Sequence, residues 1–528
     1  MKKKKKRKLH FGRISDIILS ILLIIISFYT AFTIYKSNLL PFQLFIIACA
    51  ILAILVCIFV LLMFKRLSWF ATAIKRFGII LLCFALLWGG KTINTGIQSL
   101  ENIASVSETT INMRVLVKKD ANITSFDQLK NAAIGIQTGT DADNGSYMKQ
   151  EISNTLGSRV RYLEYDDYTS MANALLLEYN DAMAISDSYL NMLYTNIEGF
   201  KDKVEVVKTF QRTIPVQETA SSKDITKEAF TILISGMDEV GSPDQNLRSD
   251  VNILLIVNPT TKHVQTISFP RDVYIPNVAL NKANDKLTHT GLYGIDTTVQ
   301  SLEYLLGIDI DFYAKVSFSS LIGIVDVING INIDVEIDFC EQDEERNFSS
   351  EAQICLNAGQ QQLNGKQALA YARHRYTEGY DVGGRERAQQ RIIKGIIAKL
   401  ASPSGITSIN ALLEAAPNFV LTNMSVNQIT SFTSSQIQSL KPWTISSTTL
   451  DQSGVFDTRP TASWPGVNQD VYLFSMEEIQ KVLYAYENYM KPLNFNDFQF
   501  DLSGLYTTKL QLNKDSNIAW SIYAINPH

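Results

Sequence analysis

The chain is poor in the residues that build stapled or metal-braced folds. Its 528 residues include only 5 Cys and 5 His, the His scattered at 10, 263, 289, 374 and 528. No Cys/His spacing matches a zinc site, and so few cysteines over such a length exclude a disulfide scaffold. Gly (27) and Pro (13) are too sparse for a collagen-like chain, and 46% hydrophobic against 19% charged residues excludes a wholly disordered one. Charge of one sign is also lacking overall, at a formal net of −4, but that average conceals two opposite halves. Residues 1–100 hold 14 Lys or Arg against Asp16 alone, and residues 101–528 hold 34 against 51 acidic side chains. So acidic a remainder argues against nucleic acid as a partner, because phosphate backbones demand positive surface.

What is present is membrane-like apolar sequence, all of it early. Ile14–Tyr35 and Pro41–Phe64 are apolar runs long enough to cross the hydrocarbon, and Phe77–Trp88 is the core of a third that needs its flanks to reach about 20 residues. A cleaved signal peptide is disfavoured, since no small-residue cleavage site precedes Lys36 and a second long run follows. Lys and Arg set the orientation. The chain begins with KKKKKRK after Met1, and the second loop carries Lys65, Arg66, Lys75 and Arg76, whereas the first loop carries only Lys36. This predicts a cytoplasmic N-terminus, three spans within 1–100, and residues 101–528 extracellular, in a multi-pass cell-membrane protein. The basic tail reads as a topology determinant in preference to a nucleic-acid or lipid-binding arm. Cys49, Cys57 and Cys83 lie in the apolar runs, while Cys340 and Cys355 lie beyond them, fifteen positions apart. A disulfide closing that loop and two independent thiols are both open readings.

The remainder divides in two. Residues 105–218 alternate strand and helix signals: MRVLVKK (113–119), a helix start at Ser125, AIGIQ, RVRYLEY, the helix SMANALLLEY and the apolar AMAIS. This predicts a small α/β accessory domain. Its phrases SFDQLKNAAIGIQTGT and MANALLLEYNDAMAISDSYL resemble pieces of extracellular solute-binding proteins, but the module is short for a two-lobed binder and reads as a docking or spacer domain. QETASSKDITK (217–227) reads as a linker. Residues 225–490 predict a larger α/β domain, a mixed sheet flanked by helices. Its strands are expected at 230–238, 251–259, 263–270, 312–318 and 331–337, and its helices near 295–306, 319–328, 364–371 and 385–400. Residues 491–528 read as a C-terminal extension.

Arginines and carboxylates cluster at the ends of these elements. Asp238 ends the first strand, Asp250 opens the next, and Arg271 and Asp272 follow an apolar strand in SFPRD. In YARHR, extended backbone would turn Arg373 and Arg375 to one face. Arg385 and Gln389, four apart on a helix, share a face, and Arg387 and Arg391 share another. Gly383 and Gly384 precede that helix and leave its N-terminus open to an anion. Guanidinium forks bind phosphate oxygens bidentately, and paired carboxylates suit a hard cation. Salt bridging to the acidic surface is the competing explanation, about equally weighted for Arg387 and Arg391.

RSD (248–250), SFPRD (268–272), DKLTHTGLYG (285–294), VDVINGINIDV (325–335), LNGKQALAYARHR (363–375) and GGRERAQQRI (383–392) together resemble the motif set of the LytR-CpsA-Psr family. The likeness spans roughly 230–400 and is looser to about 490. Three spans plus an accessory domain resemble its capsule-linked streptococcal branch. The resemblance implies a phosphotransferase moving a glycopolymer, capsular or teichoic-acid-like, from an undecaprenyl-diphosphate-linked glycan to peptidoglycan outside the membrane. It implies Mg²⁺ (or Mn²⁺) on Asp238 and Asp250. It implies Arg271, Asp250 and Asp272 as the catalytic residues, Arg271, Arg373, Arg375, Arg385 and Gln389 on the diphosphate, Lys286 at the rim, and Asp272 orienting Arg271 in preference to acting as a base. Capsule-assembly proteins are implied further partners. Apolar residues at Val316–Phe318 and Leu321–Val325 line a lipid slot or simply pack the core. Phe269, and HTGLYG after Lys286, depart from common family residues in ways that touch fit more than chemistry. Two other functions are kept open: a polyprenyl-diphosphate phosphatase using water, and a non-enzymatic membrane regulator of capsule or wall expression.

Overall fold

The computed structural model describes residues 11–490 apart from 38–39, 41, 66–67, 105–107, 216–220, 238–242, 345, 348, 350, 376, 379, 381–382, 403–407, 409–410, 413–414, 416–418, 440 and 451–453, together with residues 522–523. Asp238 and almost all of the 491–528 extension therefore lie outside the described residues.

Two compact units form. The first comprises residues 1–102, 400–417 and 425–442. Its helices α1 (Phe11–Ser37), α2 (Phe42–Phe64) and α3 (Trp69–Ala104) are each long and apolar enough to cross a bilayer, the third over Trp69–Thr95, so that run reaches full length by extending at both ends. Leu23, Ile26, Met63, Ile79 and Cys83 bury against one another between the three. Asp16, the lone acid of residues 1–100, pairs with Arg76 at 2.7 Å and Lys75 at 3.4 Å, which neutralises a charge that is costly at membrane depth.

The second unit holds both α/β modules. The accessory module is built from β1 (Glu108–Lys118), β2 (Ala133–Gln137), α4 (Ala142–Leu156), β3 (Arg161–Tyr165), α5 (Tyr168–Leu176), β4 (Ala182–Ser186), α6 (Asp187–Asn196), α7 (Phe200–Lys203) and β5 (Val204–Pro215). They make a five-stranded sheet in the order β3-β2-β4-β1-β5, parallel across β3-β2-β4 and antiparallel from β4 to β5. Period-two alternation explains how it is covered. Ile111, Met113, Val115 and Val117 of β1 face α4 through Met148, Ile152 and Leu156. Leu116 faces the opposite side with α5 and α6.

The larger module opens with the meander β6 (Phe230–Met237), β7 (Ser249–Asn258) and β8 (His263–Phe269), followed by β9 (Tyr274–Asn277), β10 (Ala283–Lys286), α8 (Leu287–Thr290), α9 (Ile295–Leu306), β11 (Phe312–Val316), α10 (Phe318–Val327) and β12 (Ile331–Val335). Then come β13 (Phe339–Glu341), β14 (Ile354–Leu356), β15 (Gly359–Leu363), α11 (Gly365–Arg373), α12 (Gly384–Leu400), β16 (Leu421–Thr422), α13 (Val426–Ser439), β17 (Thr444–Thr449), β18 (Val455–Thr461), β19 (Trp464–Ser475) and α14 (Met476–Met490). Of these, α13 belongs to the first unit. The main sheet runs β16-β11-β6-β7-β8-β17, with β11 parallel to β6 and β17 parallel to β8. A capping box of Asn364 with Gln367 starts α11, and Ser317 with Ser320 starts α10.

The two faces of the sheet do different things. Leu233 pairs with Leu254, and both bury against Leu302 and Leu305 of α9 and Val482 and Leu483 of α14. One residue along, Ile234 pairs with Ile253, and both face a cavity roofed by α10, α11 and α12. Alternation thus sends one set of side chains into the core and the next into open space.

The modules meet through packed and polar contacts. Tyr189 of α6 stacks on Trp464 with centroids 6.2 Å apart, and its hydroxyl lies 2.6 Å from that of Tyr293. Thr109 of β1 bonds Asp244 and Asn246, and Ser188 donates to the Asn246 carbonyl.

Candidate functional site

A cavity of about 290 Å³ lies between the sheet and helices α10–α12. Its apolar walls include Ile234, Val251, Ile253, Phe318, Leu321, Leu369, Ile392 and Ile393. Its charged walls carry five guanidiniums, from Arg271, Arg346, Arg373, Arg375 and Arg385, against the carboxylates of Asp250 and Glu341. An excess of fixed cations in a module of acidic sequence makes this a local anion trap, since screening confines distant charges to about 8 Å at physiological salt.

Asp250 is the electrostatic centre. It is 5% exposed, and its Oδ1 accepts from Arg271 Nη1 at 3.1 Å and Thr288 Oγ1 at 2.9 Å. Burial would raise its pKa, but Arg248, Arg271, the Thr288 hydroxyl and Arg385 outweigh burial and hold it at about 2. It is therefore a carboxylate throughout the physiological range. Arg271 sits in the turn after β8, where the Val273 amide bonds the Pro270 carbonyl at 3.2 Å, and its own carbonyl accepts the Thr288 amide at 2.9 Å. Behind it, Asp272 pairs with Lys286 at 2.5 Å and lies 3.7 Å from Arg271 Nε. Burial raises the Asp272 pKa, but Lys286 and Arg271 pull it lower still. Neither Asp272 nor Lys286 lines the cavity, so this pair braces Arg271 from outside.

Arg373 and Arg375 both reach the cavity, but by a different route from the extended segment expected. α11 continues through Arg373, because its capping box and the buried Ala368, Leu369 and Ala372 sustain the helix. Backbone alternation therefore does not relate the two arginines. The Arg373 guanidinium lies 5.0 Å from the Phe318 ring centroid and donates to the Asp343 carbonyl at 3.0 Å. Arg385 and Gln389 share the inner face of α12, as their spacing requires. Gln389 donates to the Ala372 carbonyl at 3.2 Å and ties α12 to the end of α11. Arg387 and Arg391 both pair with Glu336, at 2.7 and 2.5 Å, and so are structural ion pairs outside the cavity.

Residues that motif reasoning passed over complete the wall. Cys340 and Cys355 face each other across the β13–β14 pair and are joined by a disulfide. The loop this closes contributes Glu341, Gln342 and Arg346 to the cavity. The paired cysteines were the only signal for it. His374, between the two arginines, is 2% exposed, stacks on Phe339 at 4.3 Å and bonds Glu341 at 3.3 Å. Val316, Phe318 and Leu321 do line the cavity, whereas Val325 is core. Among the described residues no cluster of three or more His, Cys, Asp or Glu is placed to hold a metal.

Comparison with known proteins matches residues 193–487 to the LytR_cpsA_psr family. The match begins within α6, upstream of the larger module. A relative from Bacillus subtilis (strain 168), named polyisoprenyl-teichoic acid–peptidoglycan teichoic acid transferase TagV, is 31% identical over 227 residues, which is 41% of this chain and 57% of that protein. The TagU protein of the same activity name from Bacillus cereus is 29% identical over 243 residues, covering 46% of this chain and 75% of the relative. The chain thus spans little over half the length of the first of these. A crystal structure of Bacillus subtilis TagV aligns at 26% identity and a TM-score of 0.41, over 50% of this chain and 98% of that one.

Proposed function

The chain belongs to the LytR-CpsA-Psr family, and from that premise we propose that it transfers a glycopolymer from a polyprenyl-diphosphate carrier to peptidoglycan on the outer face of the membrane. The observation that carries this reading is a single cavity joining five guanidiniums and an ionised Asp250 to walls of aliphatic side chains. A prenyl diphosphate has that same division, two phosphates on a long hydrocarbon. In the reaction, an acceptor hydroxyl bonds to the sugar-side phosphorus and gives its proton to solvent, the diphosphate P–O bond breaks, and the polyprenyl phosphate leaves with the electron pair. Arg271, Arg373, Arg375 and Arg385 hold the diphosphate oxygens and compensate the charge that moves onto the leaving phosphate. Gln389 fixes α12 against α11 and so sets the spacing of Arg385 and Arg373. Asp250, clamped by Thr288, keeps Arg271 in place. Asp272 and Lys286 brace the same arginine from behind.

A divalent cation suits this donor set. Mg²⁺ takes one or two carboxylates together with phosphate oxygens, and Asp250 offers a buried, ionised carboxylate at the cavity wall. Mg²⁺ or Mn²⁺ would sit on Asp250 and would neutralise the diphosphate as it reacts; Asp238 is the second ligand expected from the sequence. Orientation follows the Lys and Arg bias, with the N-terminus cytoplasmic and the α/β modules outside, where a flipped carrier lipid and the wall acceptor meet.

The test uses purified full-length protein with a polyprenyl-diphosphate glycan, with and without a peptidoglycan acceptor. Joined polymer only when acceptor is present supports transfer, and equal phosphate release without acceptor would make it a hydrolase. Arg271→Ala and Asp250→Ala should each abolish joining in a folded protein. Normal rates in both variants would overturn the site.

A further inference from the structure

With four guanidiniums of the cavity engaged on a diphosphate, one remains, that of Arg346. It lines the wall together with Glu341 and Gln342, and all three lie on the loop closed by the Cys340–Cys355 disulfide. This loop is fastened to the site. Arg373 donates to the Asp343 carbonyl at 3.0 Å, and the Arg346 amide bonds the same carbonyl at 3.1 Å. Glu341 Oε2 lies 3.3 Å from His374 Nδ1, and its Oε1 accepts the Gln342 amide at 3.0 Å. Glu344 pairs with Lys366 of α11.

A gradient of burial runs along the cavity wall. Ile253, Leu369 and Ile392 are at most 2% exposed, the other four arginines are half-buried, and of the five Arg346 alone is exposed. A prenyl-diphosphate glycan is linear: hydrocarbon, two phosphates, then sugar. With its hydrocarbon on the aliphatic wall and its phosphates on the four arginines, its first sugar comes to the exposed end. The polymer beyond does not fit a cavity of about 290 Å³ and leaves through solvent. The loop's chemistry suits a sugar and not a further phosphate. Burial raises the Glu341 pKa, but the His374 hydrogen bond, the Gln342 amide and Arg373 bring it below the ordinary value, so it is a carboxylate at neutral pH. A carboxylate repels phosphate oxygens and accepts from hydroxyls. The Gln342 side-chain amide both donates and accepts, and the Arg346 fork only donates. A hydroxylated ring offers a partner to each.

We propose that Glu341, Gln342 and Arg346 form the subsite for the sugar attached to the diphosphate, and so set which glycan the chain accepts. This rests on the transferase reading and adds to it three specificity-determining residues that lie outside every sequence motif. The disulfide has a part in it. By joining β13 to β14 on either side of the loop, it holds the three side chains at the cavity wall. A site that hydrogen-bonds hydroxyls rejects a ligand lacking them far more strongly than an apolar site rejects a change of size.

Full-length detergent-solubilised protein is titrated calorimetrically, with Mg²⁺ present, with geranylgeranyl diphosphate esterified at its terminal phosphate to glucose, N-acetylglucosamine or N-acetylgalactosamine. The control is the terminal methyl ester, which keeps the hydrocarbon and the charges but has no sugar. At least one sugar ester is expected to bind about tenfold or more tightly than the methyl ester, since a single charge-assisted hydrogen bond supplies about that much. Arg346→Gln and Gln342→Ala, at partly or fully exposed positions compatible with folding, should each weaken that sugar ester about fivefold or more. Both should leave the methyl ester within about twofold. Equal binding of the methyl ester and all three sugar esters, variants that weaken both kinds of ligand alike, or variants that leave the sugar ester unchanged would each overturn the subsite while the diphosphate site stands. Failure of all four ligands to bind the wild-type protein would overturn both.

Discussion

Replacing Arg271 by Lys separates charge from geometry at the centre of the arginine-lined cavity. The variant keeps a cation beside Asp250 but removes the planar fork that can hold Asp250 and a phosphate oxygen together. A charge-assisted hydrogen bond contributes roughly 1.5–3 kcal/mol, so losing one from the transition state lowers kcat/KM by about ten- to 150-fold. The stability cost should be far smaller. Asp250 keeps Thr288 at 2.9 Å and the fields of Arg248 and Arg385, and the side chain of Arg271 is 23% exposed. It does not become an unpaired buried charge, whose cost would be about 3–5 kcal/mol. Thermal denaturation should therefore shift by only a few degrees, as for a change of about 1 kcal/mol or less. The assay is joined polymer per unit time at subsaturating donor, beside a melting curve on the same sample. Transfer within about threefold of wild type, or a loss matched by a collapse of the fold, would refute the reasoning.

Other outcomes follow from the same geometry. Arg387→Ala and Arg391→Ala remove the partially exposed pairs with Glu336, and Arg391→Ala also a hydrogen bond to the Tyr371 hydroxyl; both should leave transfer within about twofold, with stability down by about 1–2 kcal/mol at most, and a large loss of activity would return these arginines to the site. Asp285 is fully buried and accepts from Asn277, the Lys286 amide, Ser463 and His289, so Asp285→Ala should destabilise by about 3–5 kcal/mol in denaturant unfolding, and a cost under about 1 kcal/mol would contradict it. Burial lowers His263 from 6.5 to about 4, so the unfolded chain takes up this proton first as pH falls. Its contribution to stability is therefore full above about 6.5 and is lost between there and about 4, and His263→Gln should flatten that part of the stability profile. Asp250 has the opposite sense of shift: its contribution is present above the ordinary carboxylate value and is lost only as pH falls toward about 2, so it should add no pH dependence between 5 and 8.

Local pattern made much of this fold legible. The meander β6–β7–β8 and helices α9 to α12 lie close to where apolar pattern and cap residues put them, because the strands are continuous buried runs and the helices carry an apolar stripe. The shared face of Arg385 and Gln389 was readable for the same reason: it depends on helical period alone. YARHR was misread because a segment that short carries no period of its own, and the Asn364–Gln367 cap upstream propagates the helix to Arg373. Long-range contacts were invisible. Glu341, Gln342 and Arg346 reach the cavity through a disulfide-closed loop, and the Tyr189–Trp464 stack that joins the modules links residues far apart in the chain.

The most direct test of the central claim is a structure of the full-length protein with a short-chain prenyl diphosphate bound. The account predicts both phosphates within hydrogen-bonding distance of Arg271, Arg373 and Arg385, with the hydrocarbon along Ile234, Ile253 and Leu321. Density for the diphosphate away from those three guanidiniums, or a prenyl chain outside the aliphatic walls, would contradict it.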